Sequence, residues 1–142
     1  MKSAIISIRP QYIDKILAGE KTVEIRKRPI RMAPGTLLWL YATRPYGCIA
    51  GMCTVKAVLR SHPDEIWESY SNETGISYDT FVSYVNGAEK ITAITLDTIK
   101  PVDQSMTLQD IRKQIQIFHP PQFFSYIEQN SPLSHLLKSI AL

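Results

Sequence analysis

A chain of 142 residues, 44% hydrophobic, 20% charged and 9% aromatic, can bury one core and is too short for a cofactor domain beside a separate substrate domain. The same composition excludes wholesale disorder. The net charge of +3 hides an asymmetry, because residues 1–60 carry eleven Lys/Arg against three Asp/Glu and the remainder five against ten, which points to a basic N-terminal surface suited to a polyanion.

Alternation through Ser3-Ala4-Ile5-Ile6-Ser7-Ile8 predicts a first strand stopped at Arg9-Pro10. Tyr12, Ile13, Ile16 and Leu17 then recur at helical spacing, with Gly19 as the stop. Thr22 to Arg26 alternates again, placing Val23 and Ile25 on a core face and Thr22, Glu24 and Arg26 on the other. A loop over 29–35 leads to an apolar strand, Thr36 to Tyr41, and after the turn at Arg44-Pro45-Tyr46-Gly47 to a second, Cys48 to Leu59, in which Gly51 suggests a bulge or a close approach. Short helices are expected over Asp64 to Tyr70 and Tyr78 to Val85, then a strand over Ile91 to Ile99. Thr107-Leu108-Gln109-Asp110 has the form of a capping box opening a helix through Ile115. Helical spacing of Phe123, Phe124 and Ile127 predicts a helix over Gln122 to Gln129, and Leu133 to Ile140 reads as a last one. The mixture favours an α+β fold around a mostly antiparallel, barrel-like sheet.

No charged leader with an apolar stretch is evident and no eighteen consecutive apolar residues occur, so a soluble, cytoplasmic protein without membrane association is expected. Cys48 and Cys53, five apart in a strand, would project from opposite faces and read as unpaired thiols in a reducing compartment. The scattered His62, His119 and His135 give no metal site, and no cofactor is expected. The apolar residues Phe123, Phe124 and 133–142 either pack in the core or dock a protein partner; such a partner is possible but not indicated.

Chemistry concentrates at residues 19–26, where Lys21, Glu24 and Arg26 follow Gly19 between a helix end and a strand. A carboxylate between two cations stays ionised, and such a trio can bind phosphate while Glu24 orients a hydroxyl or amine or acts as a base. Alternatively it is a surface charge network of little energetic value, about 0–1 kcal/mol per exposed pair. Arg9 and Arg44 add nearby positive charge, Tyr41 offers either a stacking face or a core ring, and Lys27, Arg28 and Arg31 continue the basic run.

Gly19-Glu20-Lys21-Thr22-Val23-Glu24-Ile25-Arg26 resembles the G-x-K-x-x-E-x-R motif of the ASCH family, related to the PUA and EVE domains. Ser7-Ile8-Arg9-Pro10, Tyr41-Ala42-Thr43, Ile49-Ala50-Gly51 and Gly75-Ile76-Ser77 with Phe81, Tyr84 and Gly87 extend the likeness over roughly residues 3–127. The resemblance implies a single domain over 1–142, a PUA-like β-barrel with flanking short helices and a C-terminal helical tail over 128–142. It also implies a cleft lined by Gly19, Lys21, Glu24 and Arg26, to which Arg9, Arg28, Tyr41 and Arg44 are added from the reading above, binding RNA or a modified nucleotide. The alternative is a small hydrolase. Family members that deacetylate N4-acetylcytidine use a Lys, a Thr and a Glu; here Lys21 matches, but Glu24 stands at the threonine position and Thr74, beside Glu73, near that of the glutamate. Ribonuclease action would make Lys21 and Glu24 the catalytic pair.

Overall fold

The computed structural model describes residues 2–141, apart from the side chains of residues 103 and 104. Six strands form one sheet in the order β2-β5-β4-β3-β1-β6. They are β1 (Ser3–Ile8), β2 (Val23–Arg26), β3 (Leu37–Ala42), β4 (Cys48–Ser61), β5 (Ile91–Thr107) and β6 (Phe124–Ile127). All neighbouring pairs are antiparallel except β1 with β3. The interspersed helices are α1 (Pro10–Leu17), α2 (Pro63–Tyr70), α3 (Tyr78–Val85), α4 (Leu108–Gln114) and α5 (Pro132–Lys138). The α+β architecture and the barrel-like, mostly antiparallel sheet agree with the sequence reading.

Alternation in the strands sorts side chains onto two faces of the sheet. Ala4, Ile6, Ile8, Leu38, Leu40 and Ala42 pack with Ile13 and Ile16 of α1 in one cluster. Ile5, Trp39 and Tyr41 point the other way and are covered by Ile111 of α4 and by Leu136 and Leu137 of α5. Val23 and Ile25 pack with Ile91, Ala93 and the inner residues of α2 and α3 in a third cluster. Local chemistry sets the helix ends. Thr107 and Asp110 form the reciprocal capping box expected, Ser77 caps α3, and the chain leaves α1 through Gly19 at φ +79°.

β4 and β5 are long enough to bend, and their pairing shifts register between Ile49 and Gly51, Met52 and Thr54, and Val55 and Ala57. At Gly51 an added Cβ would lie 2.8 Å from the Lys100 carbonyl oxygen and 2.9 Å from Leu17, so the strands and α1 close on each other only because that position has no side chain.

Two expectations are corrected. Residues 124–127 form an edge strand, pairing antiparallel with β1 from Ile6 opposite Phe124 to Ser3 opposite Ile127, where the spacing of the aromatic residues had suggested a helix. β5 continues to Thr107, well past Ile99. The apolar C-terminal residues are largely core: Phe123 and Phe124 pack against the first cluster, and Leu136, Leu137 and Ile140 belong to the second. Leu142 lies outside the described residues. Cys48 and Cys53 are both free, and burial pushes the Cys53 thiol up to about 12. Among the described residues no helix is long and apolar enough to cross a membrane.

Candidate nucleic-acid cleft

β2 lies at the edge of the sheet and pairs only with β5, Glu24 opposite Ile94 and Arg26 opposite Thr92. The face of β2 opposite Val23 and Ile25 was expected to be a polar surface. The structure makes it a buried floor: Lys21 is 2% and Glu24 6% exposed. The cover comes from elsewhere in the chain. The Glu73 carbonyl accepts the amides of Thr22 and Val23 at 2.9 and 3.0 Å, and Gly75, at φ +69°, lets the backbone pass so near that an added Cβ would stand 3.0 Å from Lys21 Cβ.

Within that floor every charge is partnered. Lys21 Nζ donates to the Thr74 carbonyl at 2.6 Å, lies 3.4 Å from Glu24 Oε1 and stands 5.2 Å over the Tyr12 ring. Arg26 Nη2 donates to Glu24 Oε2 at 2.6 Å and to the Ser7 carbonyl at 2.9 Å, while its guanidinium stacks 5.0 Å from the Phe123 ring centroid. Burial acts to raise the Glu24 pKa, but Arg26 and then Lys21 outweigh it, so the carboxyl titrates below its ordinary range. Burial depresses the Lys21 pKa, and Glu24 restores only part of the loss. An ionised Glu24 held by two cations is a hydrogen-bond acceptor and a poor proton acceptor at neutral pH. These buried pairs replace the exposed charge network that spacing alone allowed.

Three connected bays open above the floor. One of about 390 Å³ is lined by Ser7, Arg9, Tyr12, Glu24, Arg26, Thr43, Tyr84 and Gln122. It shares Arg9, Tyr12, Glu24 and Tyr84 with a bay of about 320 Å³ that reaches Lys21, Ile76, Thr80 and Ser83. On its other side it shares Arg26, Tyr84 and Gln122 with a bay of about 380 Å³ walled by Lys27, Arg28 and Phe123. Among the described residues five cations line this cleft, Arg9, Lys21, Arg26, Lys27 and Arg28, against the single carboxylate of Glu24. Concave, cationic and flanked by tyrosines, it suits a phosphate-bearing aromatic ligand. Among the described residues no three His, Cys, Asp or Glu side chains cluster as metal ligands.

Of the residues singled out in sequence, Lys21, Glu24, Arg26, Arg9 and Arg28 line the cleft, while Gly19 acts through the backbone turn that leads into β2. Tyr41 is corrected: it is 4% exposed in the cluster under α4 and α5, on the opposite face of the sheet, and burial raises its hydroxyl pKa. Arg44 is an exposed turn residue outside the lining. Tyr12, Thr43, Tyr84 and Gln122 were missed as site residues, since each comes from a separate element and only the fold assembles them. The bay that reaches Lys21 also holds Glu24 and Thr80, whereas Thr74, near the position of the family's glutamate, is buried and donates its hydroxyl to the Ser71 carbonyl at 3.1 Å, and Glu73 is exposed. Among the described residues no carboxylate besides Glu24 lines the cleft.

Comparison with known proteins shows the family and the fold. A family profile described as the ASCH domain matches residues 6–104. A protein of Zymomonas mobilis subsp. mobilis named ASCH domain-containing ribonuclease is 30% identical over 128 residues, 90% of this chain and 86% of that protein. The crystal structure of a tyrosine-to-phenylalanine mutant of the Zymomonas mobilis ASCH protein superposes over all of both chains with a TM-score of 0.91 at 28% identity. The structure described simply as ASCH from that organism gives 0.87 at 29% identity, covering 96% of this chain and 94% of the other.

Proposed function

The chain belongs to the ASCH domain family, and from that premise we propose that it binds single-stranded RNA in the cleft above Lys21, Glu24 and Arg26. The observation that carries the reading is the lining itself, five cations against one buried carboxylate, with the tyrosines of α1 and α3 on the walls. Cations attract the phosphates, aromatic faces take unpaired bases at about 1–3 kcal/mol each, and Glu24 is the acceptor for a sugar hydroxyl or a base amine. A duplex would have to bring its rigid backbone down to a floor that is almost fully buried, so an unpaired strand fits better.

Cleavage is the second reading, favoured by the relative's name. In that reaction a 2′-hydroxyl gives up its proton as its oxygen bonds to the neighbouring phosphorus, and the bond from phosphorus to the 5′-oxygen breaks as that oxygen takes up a proton. Arg26 would stabilise the charge gathering on the phosphoryl oxygens, and Lys21, with its depressed pKa, would take the proton from the 2′-hydroxyl and return it to the 5′-oxygen.

The test is to incubate the pure protein with a fluorescent ten-nucleotide RNA and the matched DNA at low salt, following anisotropy and product lengths. The expected result is RNA binding weakened at least about tenfold in Arg26→Ala, with any cleavage confined to RNA. No binding at low salt would overturn the proposal.

A further inference from the structure

Lys27 and Arg28 follow the motif and would be free to wander were their backbone not fixed from outside β2. The Thr92 side chain, fully buried on β5, donates its hydroxyl to the Arg28 carbonyl at 2.7 Å. Arg60 of β4 donates through Nη1 to the Lys27 carbonyl and to the Thr92 hydroxyl oxygen, each at 2.9 Å. Lys27 Nζ rests 5.3 Å over the Tyr84 ring, and both cations remain exposed at the wall of the 380 Å³ bay. Among the described residues no carboxylate lines that bay, whose other walls are Arg26, Tyr84, Gln122 and the Phe123 ring. The volume lies within the range of about 300–1,000 Å³ in which small ligands bind.

We infer that this bay is a subsite for a second nucleotide, held by Lys27 and Arg28 on its phosphate and by Phe123 or Tyr84 on its base, with Thr92 and Arg60 as positioning residues. The inference rests on the RNA reading above and deepens it: the ligand is an oligonucleotide whose strand crosses Arg26, the residue common to this bay and the one at Glu24, and not an isolated nucleoside. Arg26 suits the crossing point because its Nη2 and Nε are committed to Glu24 and Ser7 while Nη1 takes part in neither contact.

A labelled decauridylate displaced by uridine 3′-monophosphate or by the 3′-phosphorylated dinucleotide UpUp, which has one more uridine and one more phosphate, tests this. In the wild-type protein UpUp competes at least about tenfold better, the worth of one added stacked and phosphate-bound nucleotide. In the double variant Lys27→Ala/Arg28→Ala that advantage falls below about twofold, and the salt slope of decauridylate binding drops by about 0.7, the share of the one phosphate these cations hold. Thr92→Val lowers the slope in the same direction and Thr92→Ser restores it, which loss of folding stability alone would not do. If the wild type binds decauridylate but UpUp and the mononucleotide compete equally, or the double variant keeps the full slope, the subsite is refuted and the RNA reading stands. If the wild type fails to bind decauridylate at low salt, both fall.

Discussion

Glu24 meets Lys21 and Arg26 with different oxygens, Oε1 and Oε2, and loses different things when each is removed. Without Glu24, Lys21 remains buried beside the Thr74 carbonyl with no counter-charge; without Lys21, Glu24 keeps Arg26 at 2.6 Å. Glu24→Gln should therefore cost near the lower end of the about 3–5 kcal/mol seen when one partner of a buried pair is removed, and Lys21→Met less than half as much, both read from urea unfolding. Acid should erase the difference. The folded pKa of Glu24 lies below its unfolded value of about 4.3, so its contribution is complete above that pH and drains as pH falls through the folded value. The gap between wild type and Glu24→Gln in urea midpoint should hold constant from about pH 6 to about pH 5 and narrow below about pH 4.3. Lys21 acts in the opposite sense: its folded pKa lies below about 10.4, so the penalty for charging it is relieved as pH rises through that window. The sequence brings these three residues together by spacing, but it leaves their burial invisible. The polar face of a four-residue strand reads as solvent-facing, and the cover over Lys21 arrives from residues 73–75, some fifty positions away.

Elements whose ends are fixed by nearby residues were legible, and those fixed by distant ones were not. α1 is stopped by Gly19 and α4 is opened by its capping box, both readable within a few residues. β6 exists because its backbone pairs with β1, more than a hundred positions earlier, and its aromatic spacing fits a helix as well as a strand. Once paired, the period-two pattern explains the contacts: Phe124 and Tyr126 share a face with rings 5.8 Å apart, while Ile127 joins the cluster on the other side. The bend where α1 meets β4 and β5 has a single weak point. Gly51→Ala would press a methyl group onto the Lys100 carbonyl, which belongs to a paired strand and has little room to retreat. A destabilisation of about 1–3 kcal/mol is expected from thermal unfolding, whereas Gly35→Ala meets no neighbour and costs only the strain of φ +89°.

At the scale of the whole molecule, the basic excess of residues 1–60 supplies every cation of the cleft, Arg9 from the end of β1 and Lys21 to Arg28 from the approach to β2 and the segment after it. The walls come from α1, α3 and the chain entering β6, so the site exists only in the assembled fold. Its affinity should fall steeply with salt, with Arg9→Ala and Arg28→Ala each reducing the slope by about 0.7 without lowering the thermal midpoint, because both side chains are exposed. The most direct test is an amide chemical-shift titration with decauridylate at low salt. The shifts should concentrate at Arg9, Tyr12, residues 21–28, Thr43, Ser83, Tyr84, Gln122 and Phe123, and need at least about tenfold more ligand in Arg26→Ala. Shifts gathered instead around α4 and α5, or none at all, would contradict the account.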